Sequence, residues 1–424
     1  MSCRLWKAPE KMRTLALPEG PLHDAPVTAG RVWRLDLVLV CITVFLSPLN
    51  YLRASFGYIT LGDAFAMLTL LLMLVQKRLP LYPFGNATAG WLIGVLMMTG
   101  GLILGSAMNG NLVNGLVVVG QYCFSLLLLP VLVLQRDRDE VILLIKVFVL
   151  SMIVVMLHGA YAVSYTPEDL RFVSRNGRLA GLVERENATA ALAAMSITFT
   201  LWLYFVGEIR GWLLPFLLAP LAWGLLLTGS NSGFMLAAIG IICLALFSGA
   251  LGVLLRLVIA VAVLGVVVHL WGHLFLPEIF LERVFGALES GDVSEAGTFD
   301  DRVALMREAF ALTRNTILLG LGADQYRVIS AYDAPVHNAY LLLLAEGGLV
   351  SLMGHFVLVM TAIYLAFPVW HRQETRWFGV LTLTIVTMFA FAQMGITHYY
   401  GRFWIMPWLL AISASVAAGM VRAR

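Results

Sequence analysis

The stretch VILLIKVFVLSMIVVMLHGAYAV, residues 141–163, decides the fold class of this chain. Lys146 is its one charged residue, and a helix of that length would cross the roughly 30 Å hydrocarbon core of a bilayer. Similar runs recur along the whole sequence, which is 60% hydrophobic and 12% charged, whereas a soluble domain carries about 25% charged residues. The sequence therefore predicts an all-α polytopic membrane protein.

Hydropathy indicates about twelve transmembrane helices. They are predicted at 35–52, 58–76, 88–107, 112–134, 141–163, 188–206, 211–228, 233–249, 251–270, 348–368, 377–396 and 403–421. The resulting parts, in order, are an N-terminal tail 1–34, spans one to nine within 35–270 with a polar segment at 164–187, a large polar loop 271–336, a short helix plus spans ten to twelve within 337–421, and the end 422–424.

Basic residues in the connections predict the orientation. With twelve spans, the basic tail, alternate basic loops and the C-terminus fall on one side, so both termini are expected in the cytoplasm. Every Lys lies on that side, whereas the opposite face carries Arg alone. Arg binds phosphate or carboxylate through a planar fork that Lys lacks, so the cluster predicts an anionic ligand at the outer face. For any single Arg, contact with membrane lipid headgroups is the simpler interpretation.

Segment 164–187 carries four Arg residues within fifteen positions. Arg185 and Asn187 stand where the sixth span begins, so the free N–H groups and partial positive charge of that helix end would point to the same place as Arg185. Arg178 precedes them in a glycine-containing loop and could approach an anion there. A solvated loop with Asn187 as a simple helix cap fits the same residues.

In the long loop, residues 298–316 predict an amphipathic helix. Its predicted apolar stripe consists of Phe299, Val303, Met306, Phe310 and Ile317. Arg302 and Arg314 each flank this stripe by roughly 60°, and Glu308 points away from it. Because an Arg beside the docked face can reach the membrane mouth, Arg302 is a candidate for binding an anion. Arg314 fits a contact with lipid headgroups equally well.

His337 and Asn338 follow Pro335 at the exit of the loop. Since proline interrupts the chain just ahead of a helix, we expect His337 at or near the first helical turn. The positive helix end disfavours imidazolium and would keep His337 neutral, as a general base must be. The negative charge of a nearby phosphate would instead favour imidazolium and raise the pKa of His337. A single His usually has a structural role, but its place beside an Arg-rich segment favours the catalytic interpretation.

Two acidic residues are candidates for supporting roles. Asp63 lies within the second span, where ionisable side chains are functional candidates. Glu346 precedes Gly347-Gly348, where a helix is expected to break. The sequence contains no phosphate-binding loop, dinucleotide fingerprint or convincing set of metal ligands. It therefore predicts no cofactor, no metal and no nucleic-acid partner, and energy for a reaction would arrive with the substrate.

Motifs over about residues 160–370 resemble the O-antigen ligase and O-antigen polymerase superfamily of bacterial inner-membrane glycosyltransferases. They are Gly177-Arg-Leu-Ala-Gly-Leu followed by Asn187, Thr228-x-Ser-Asn-Ser-Gly233, Arg302 in an amphipathic helix, Gly320-Leu-Gly322, His337-Asn338-Ala-Tyr340 and Glu346-Gly-Gly-Leu. Each motif is loose, but their order and membrane setting make the combination fairly specific. Asn231 departs from the family pattern, in which Arg often follows the Ser, so this hairpin is given no charge-binding role.

The resemblance implies an O-antigen ligase in the bacterial inner membrane, with its active site facing the periplasm and with neither metal nor ATP required. The donor would be a glycan on undecaprenyl diphosphate, and the acceptor a sugar hydroxyl of lipid A–core. His337 would act as the general base of an inverting transfer. The residues expected to bind the diphosphate are Arg178, Arg185 and Arg302. Possible supporting residues are Asn187, Asn338, Arg314, Glu346 and Asp63.

Two other functions remain open. An O-antigen polymerase of the same superfamily shares the donor but often has a second large periplasmic loop, whereas segment 164–187 is short. A transporter or flippase of an anionic lipid would place its charges around a cavity inside the spans. Most of the outer Arg residues lie at the predicted membrane mouth instead, so the sequence favours the ligase.

Overall fold

The computed structural model of this protein is helical throughout the part of the chain that it describes, and that part has no β-strand beyond isolated bridges. The described residues are 34–54, 59–249, 251–281 and 299–420. Contacts divide the chain into residues 1–35 and residues 36–424, and the packing described below is that of the second unit. The all-α class predicted from the sequence is confirmed.

The helices follow one another with short connections. In chain order they are α1 (Leu35–Leu46), α2 (Leu61–Val75), α3 (Thr88–Met108), α4 (Leu112–Val133), α5 (Arg138–Tyr165), α6 (Glu186–Phe205), α7 (Leu214–Leu227), α8 (Asn231–Ser248), α9 (Leu251–Phe275), α10 (Glu278–Phe280), α11 (Phe299–Leu312), α12 (Tyr326–Ile329), α13 (Ala339–Trp370), α14 (Arg376–Ala392) and α15 (Arg402–Met420). Helix α4 contains a π-helical turn at Phe124–Leu128.

In the described ranges, seven helices are long and apolar enough to cross a membrane, namely α3, α4, α5, α6, α8, α13 and α15. Shorter apolar helices lie at Leu35–Leu46, Leu61–Val75, Gly211–Leu227, Leu255–Val267 and Arg376–Ala392. A helix is therefore present at each position where the sequence predicts a span. The number of crossings and the sides on which the loops lie stay predictions.

Helices α3 and α13 pack closely because glycines line their contact. A Cβ added to Gly94 would lie 2.9 Å from the side chain of Leu358, and one added to Gly354 would collide with the backbone of α3 at Met98. Small residues allow helix backbones to approach in this way inside a membrane. Helices α6 and α15 are the most deeply buried of the seven long apolar helices.

Helix α13 is kinked at Gly348, at the predicted break, where φ is 68°. A kink frees backbone groups from the helical ladder, and the turn at 317–323 binds them. Leu321 N–H donates to the Ala345 carbonyl at 2.8 Å, and Gly322 N–H donates to the Glu346 carbonyl at 2.8 Å. The predicted Gly320-Leu-Gly322 and Glu346-Gly-Gly motifs therefore meet in space.

The packed face of α11 differs from the predicted apolar stripe. Its buried residues are Leu305 and Ala309, whereas Phe310 and Ile317 are 59% and 51% exposed. At about 100° per residue, the buried face is rotated from the predicted one by roughly a quarter turn. The helix also ends earlier, at Leu312, and Thr298 lies outside the described residues. Packing against Tyr326, Val336, Leu342 and Ala345 selects the face that is buried.

Glu308 shows the consequence of this rotation, because the prediction that it points away from the packed face is wrong. Its carboxylate accepts hydrogen bonds from Tyr326 Oη at 2.8 Å, Ser330 Oγ at 2.7 Å and Ala331 N at 2.7 Å. Burial opposes ionisation of Glu308, but these three hydrogen bonds hold the pKa of its carboxyl below the ordinary value. Glu308 thus ties α11 to the chain that leads to His337.

Candidate active site

His337 lies just ahead of α13 and not in its first turn. Asn338 is the N-cap residue, and its Oδ1 accepts a hydrogen bond from Leu341 N at 3.1 Å. The extended backbone of Asn338 leaves His337 two residues ahead of the helix start, which is near the first turn as predicted. The ring is half-buried, and its Nδ1 is buried without a hydrogen-bond partner among the described residues.

The surroundings of His337 favour its neutral form. Burial lowers the pKa of the imidazole, and the positive charges of Arg302 and Arg185 lower it further, while the Pro335 carbonyl acts in the opposite direction. Burial and two guanidinium groups thus favour the neutral imidazole, in addition to the helix end on which the prediction was based. His337, Arg302 and Arg185 come from three separate segments, and the fold brings them close enough to interact.

Arg178 is held by the polar hairpin between α7 and α8. Its Nε donates to the Thr228 carbonyl at 2.8 Å, and its Nη2 donates to Asn187 Oδ1 at 3.0 Å. Ser230 Oγ donates to the same Asn187 oxygen at 2.9 Å. Both acceptors are neutral oxygens, and together they fix the orientation of the guanidinium. The sequence assigned no charge-binding role to this hairpin. The hairpin nevertheless positions Arg178, which is a predicted ligand of the diphosphate.

Asn187 lies inside α6, so the prediction that it caps the helix is wrong. The helix begins at Glu186, and Arg185 occupies the N-cap position with φ −151° and no side-chain capping bond. Because the helix starts two residues earlier than predicted, the Asn187 amide faces the hairpin, where its oxygen accepts from Arg178 and Ser230. Arg185 is exposed, and it pairs with no carboxylate among the described residues.

A polar cavity of about 180 Å³ lies beside this region. Its lining residues are Ser47, Asn50, Arg53, Thr60, Gln121, Arg185, Asp324, Arg327, Pro335, Glu346, Thr397, His398, Tyr400, Gly401, Arg402 and Phe403. Of the predicted site residues, Arg185 and Glu346 line it directly. Pro335, two positions before His337, connects the cavity with the candidate base. Arg314, exposed in a 3-10 turn at Thr313–Asn315, does not line it.

Asp63 acts on the cavity through Arg402. Both carboxylate oxygens of Asp63 accept from Arg402, with distances of 2.7 Å to Nε and 2.9 Å to Nη2, and both residues are buried. Asp63 also completes a capping box with Thr60 at the start of α2, and Gln121 accepts from Arg402. A two-pronged pair of this kind is rigid, so Asp63 and Arg402 form a fixed part of the cavity wall.

Several other Arg residues that are predicted on the outer face are also paired with carboxylates. The pairs are Arg53 with Glu184 at 3.3 Å, Arg171 with Asp169 at 2.8 Å and Arg327 with Asp324 at 2.6 Å. Such partly exposed pairs contribute little to stability, but each neutralises a guanidinium charge. The predicted outer face is therefore less positive than its number of Arg residues suggests.

His398 is the clearest residue that the sequence reasoning missed. Its Nε2 lies 2.9 Å from Glu346 Oε2, and its Nδ1 lies 3.1 Å from Tyr122 Oη. The run Thr397-His-Tyr-Tyr-Gly-Arg402 is unusually polar for the link between two final spans, and this was the available signal. Nothing local in the sequence shows that this link would meet Glu346.

Residues 215–356 match the family described as O-Antigen ligase. The matched region extends from α7 into α13 and contains the hairpin, Arg302, His337 and Glu346, whereas Arg178 and Arg185 precede it. The resemblance to the O-antigen ligase superfamily is thereby confirmed. No curated protein sequence matches the chain. The match over residues 215–356 and the seven long apolar helices in the described ranges support a multi-pass membrane protein that is similar to O-antigen ligase-type glycosyltransferases.

Proposed function

We propose that this protein is an O-antigen ligase of the bacterial inner membrane. It transfers a glycan from undecaprenyl diphosphate to a sugar hydroxyl of lipid A–core at the periplasmic face. The observation that carries the proposal is the half-buried His337, whose pKa is lowered by burial and by two Arg residues from other segments. A base between cations suits a reaction in which a hydroxyl loses a proton while an anionic leaving group departs.

The proposed reaction is a direct displacement. The acceptor oxygen forms a bond to the anomeric carbon of the donor while the bond from that carbon to the phosphate oxygen breaks. The hydroxyl proton passes to His337, and undecaprenyl diphosphate leaves with the electron pair. Attack from the side opposite the leaving group inverts the anomeric configuration.

The proposed role of Arg178, Arg185 and Arg302 is to bind the diphosphate and stabilise its growing negative charge. The hydrogen bonds of Arg178 to Thr228 and Asn187 support this role, because an oriented guanidinium needs little reorganisation when charge develops. Arg302 and Arg185 also disfavour imidazolium at His337 until a phosphate group offsets their charge.

The transporter alternative places charge around a cavity in the middle of the spans. Asp63 was the main candidate for such a charge, but it is the third residue of α2 and is paired with the first residue of α15. This pair therefore lies at helix ends, which favours the enzyme.

Deletion of the gene, followed by electrophoresis of the lipopolysaccharide, tests the proposal in cells. Loss of all capped lipid A–core, with polymer accumulating on the lipid carrier, is expected for a ligase. Core bearing a single repeat would indicate a polymerase instead. Purified protein should transfer glycan in detergent without a vesicle, and His337→Ala should lower the rate by roughly 10²- to 10⁴-fold. Full transfer by that variant would refute the base assignment.

A further inference from the structure

Two buried polar atoms on the cavity wall, Glu346 Oε2 and His398 Nε2, form no hydrogen bond in the described part of the chain. Glu346 is only 1% exposed, and its Oε1 accepts from Tyr326 N at 3.3 Å. Glu346 Oε2 lies 2.9 Å from His398 Nε2, but at angles that do not form a hydrogen bond. Among the described residues neither atom has another hydrogen-bond partner. Buried polar atoms without partners are costly, and their presence in a cavity points to a ligand that satisfies them.

The chemistry of the pair fits a hydroxyl group. A carboxylate oxygen accepts from O–H, and an imidazole nitrogen can donate to or accept from the same oxygen. The ring of Tyr400 lies 5.6 Å from that of His398 at an angle of 29°, which adds a flat apolar surface beside the two polar atoms. Asn50 also lines the cavity and offers amide groups. A sugar carries hydroxyl groups on a largely apolar ring, and it therefore matches this mixture of polar groups and aromatic surface.

A metal cation fits the same place less well. The described residues include no group of three or more His, Cys, Asp or Glu side chains that could hold a metal ion. Arg185 lines the cavity without a carboxylate partner in the described part of the chain, and its guanidinium repels a cation and favours a neutral polar group that is attached to an anion. A sugar carried on or beside a phosphate has this composition.

We propose that Glu346 and His398 form a saccharide-binding subsite that holds a sugar hydroxyl beside Arg185. The identity of the sugar rests on the proposed ligase function, and both the donor glycan and the acceptor core present suitable hydroxyls. The subsite positions this sugar and does not take part in bond making.

Kinetics of purified protein with both substrates test the subsite. Glu346→Gln and His398→Gln are expected to raise KM for one substrate by roughly 10-fold or more, as for loss of a hydrogen bond to a charged group, with kcat nearly unchanged. A rise in KM for the lipid-linked glycan assigns the donor sugar, and a rise for lipid A–core assigns the acceptor. Glu374→Gln and His371→Asn, at exposed positions, are matched controls that should leave both KM values unchanged.

Substrate analogues separate positioning from a structural role. Wild-type protein should discriminate against an analogue that lacks the bound hydroxyl, and Glu346→Gln should lose that discrimination. A fall in kcat with unchanged KM and unchanged discrimination would overturn the subsite. If Glu346→Gln does not fold, His398→Gln carries the test, because it leaves the bond between Glu346 and Tyr326 in place.

Direct binding distinguishes failure of the subsite from failure of the ligase proposal. The probes are the delipidated core oligosaccharide and the undecaprenyl diphosphate glycan, added separately without turnover. If either binds wild-type protein and Glu346→Gln weakens it while no transfer occurs, the subsite stands and the ligase function fails. The opposite result is that wild-type protein transfers glycan, while Glu346→Gln and His398→Gln bind both probes and discriminate against the analogue as wild-type protein does. The subsite would then be wrong and the ligase function would stand.

Discussion

At the residue scale, the partners of the Arg residues differ with the role proposed for each. Arg402 and Arg53 are paired with carboxylates and build the cavity wall. Arg185 has no carboxylate partner in the described part of the chain, so its positive charge supports the proposed binding of a diphosphate. Arg178 supports it through its orientation, which the Thr228 and Asn187 oxygens fix.

The acidic limb of the pH profile tests the electrostatics of His337. As the pH falls, the imidazole takes up a proton and no longer acts as a base. Because burial and Arg302 lower its pKa, kcat/KM should fall with a midpoint below the ordinary value of about 6.5. Arg302→Gln removes one positive charge near His337, so the midpoint should move to higher pH. This shift is expected in addition to any fall in the maximal kcat/KM. An unmoved midpoint would mean that Arg302 does not influence the base.

Asn187→Asp isolates the charge of Arg178. The new carboxylate keeps the oxygen that accepts from Arg178 and Ser230, but it also neutralises the guanidinium. We expect KM for the donor to rise by roughly 10-fold or more, since hydrogen bonds to charged groups contribute about 1.5–3 kcal/mol. The melting temperature should change little. The control is Asn86→Asp, at an exposed position that does not line the cavity. An equal rise in KM for this variant would contradict the proposed role of the Arg178 charge.

At the element scale, the kink of α13 and the turn at 317–323 depend on each other. Gly348 has φ 68°, and a Cβ there would collide with the Leu318 carbonyl. Gly320 has φ 69°, and a Cβ there would collide with the backbone at Glu346. Only glycine allows both the backbone conformation and the close approach. The kink thus places Glu346 next to the loop that leads to His337.

Gly348→Ala should destabilise the protein and displace the turn. The backbone of Gly348, with φ 68° and ψ −171°, lies in a region that essentially only glycine adopts, which costs another residue roughly 1–3 kcal/mol, and the collision with Leu318 adds to this. We expect a lower melting temperature in detergent and faster hydrogen exchange at Leu321 and Gly322, whose N–H groups donate to the kinked helix. Gly100→Ala, in open space within α3, should leave both measurements nearly unchanged. Equal effects of the two substitutions would contradict the coupling.

At the scale of the whole molecule, local signals predicted the helices but not their partners. The apolar runs are long, and a helix lies at each predicted position. Asp63 and Arg402 lie 339 positions apart, so no local pattern links them. The face of α11 was wrong because Phe310 and Ile317 are apolar yet exposed, while Leu305 and Ala309 are buried by the chain around Val336. Periodicity describes one helix, whereas packing depends on what lies against it.

The orientation can be tested by labelling single cysteines with a membrane-impermeant maleimide, after Cys3, Cys41, Cys123 and Cys243 are replaced by Ser. The positions to be changed, all exposed in the structure, are Arg175, Arg210, Tyr332 and Glu374. Twelve spans with cytoplasmic termini place Arg175 and Tyr332 outside and Arg210 and Glu374 inside. The sides alternate because an odd number of predicted spans separates each position from the next. In intact spheroplasts, Arg175→Cys and Tyr332→Cys should react, whereas Arg210→Cys and Glu374→Cys should react only after permeabilisation. Labelling of Tyr332→Cys from the cytoplasmic side would place His337 on the wrong face for a donor flipped to the periplasm, and the proposed ligase would then fail on topology alone.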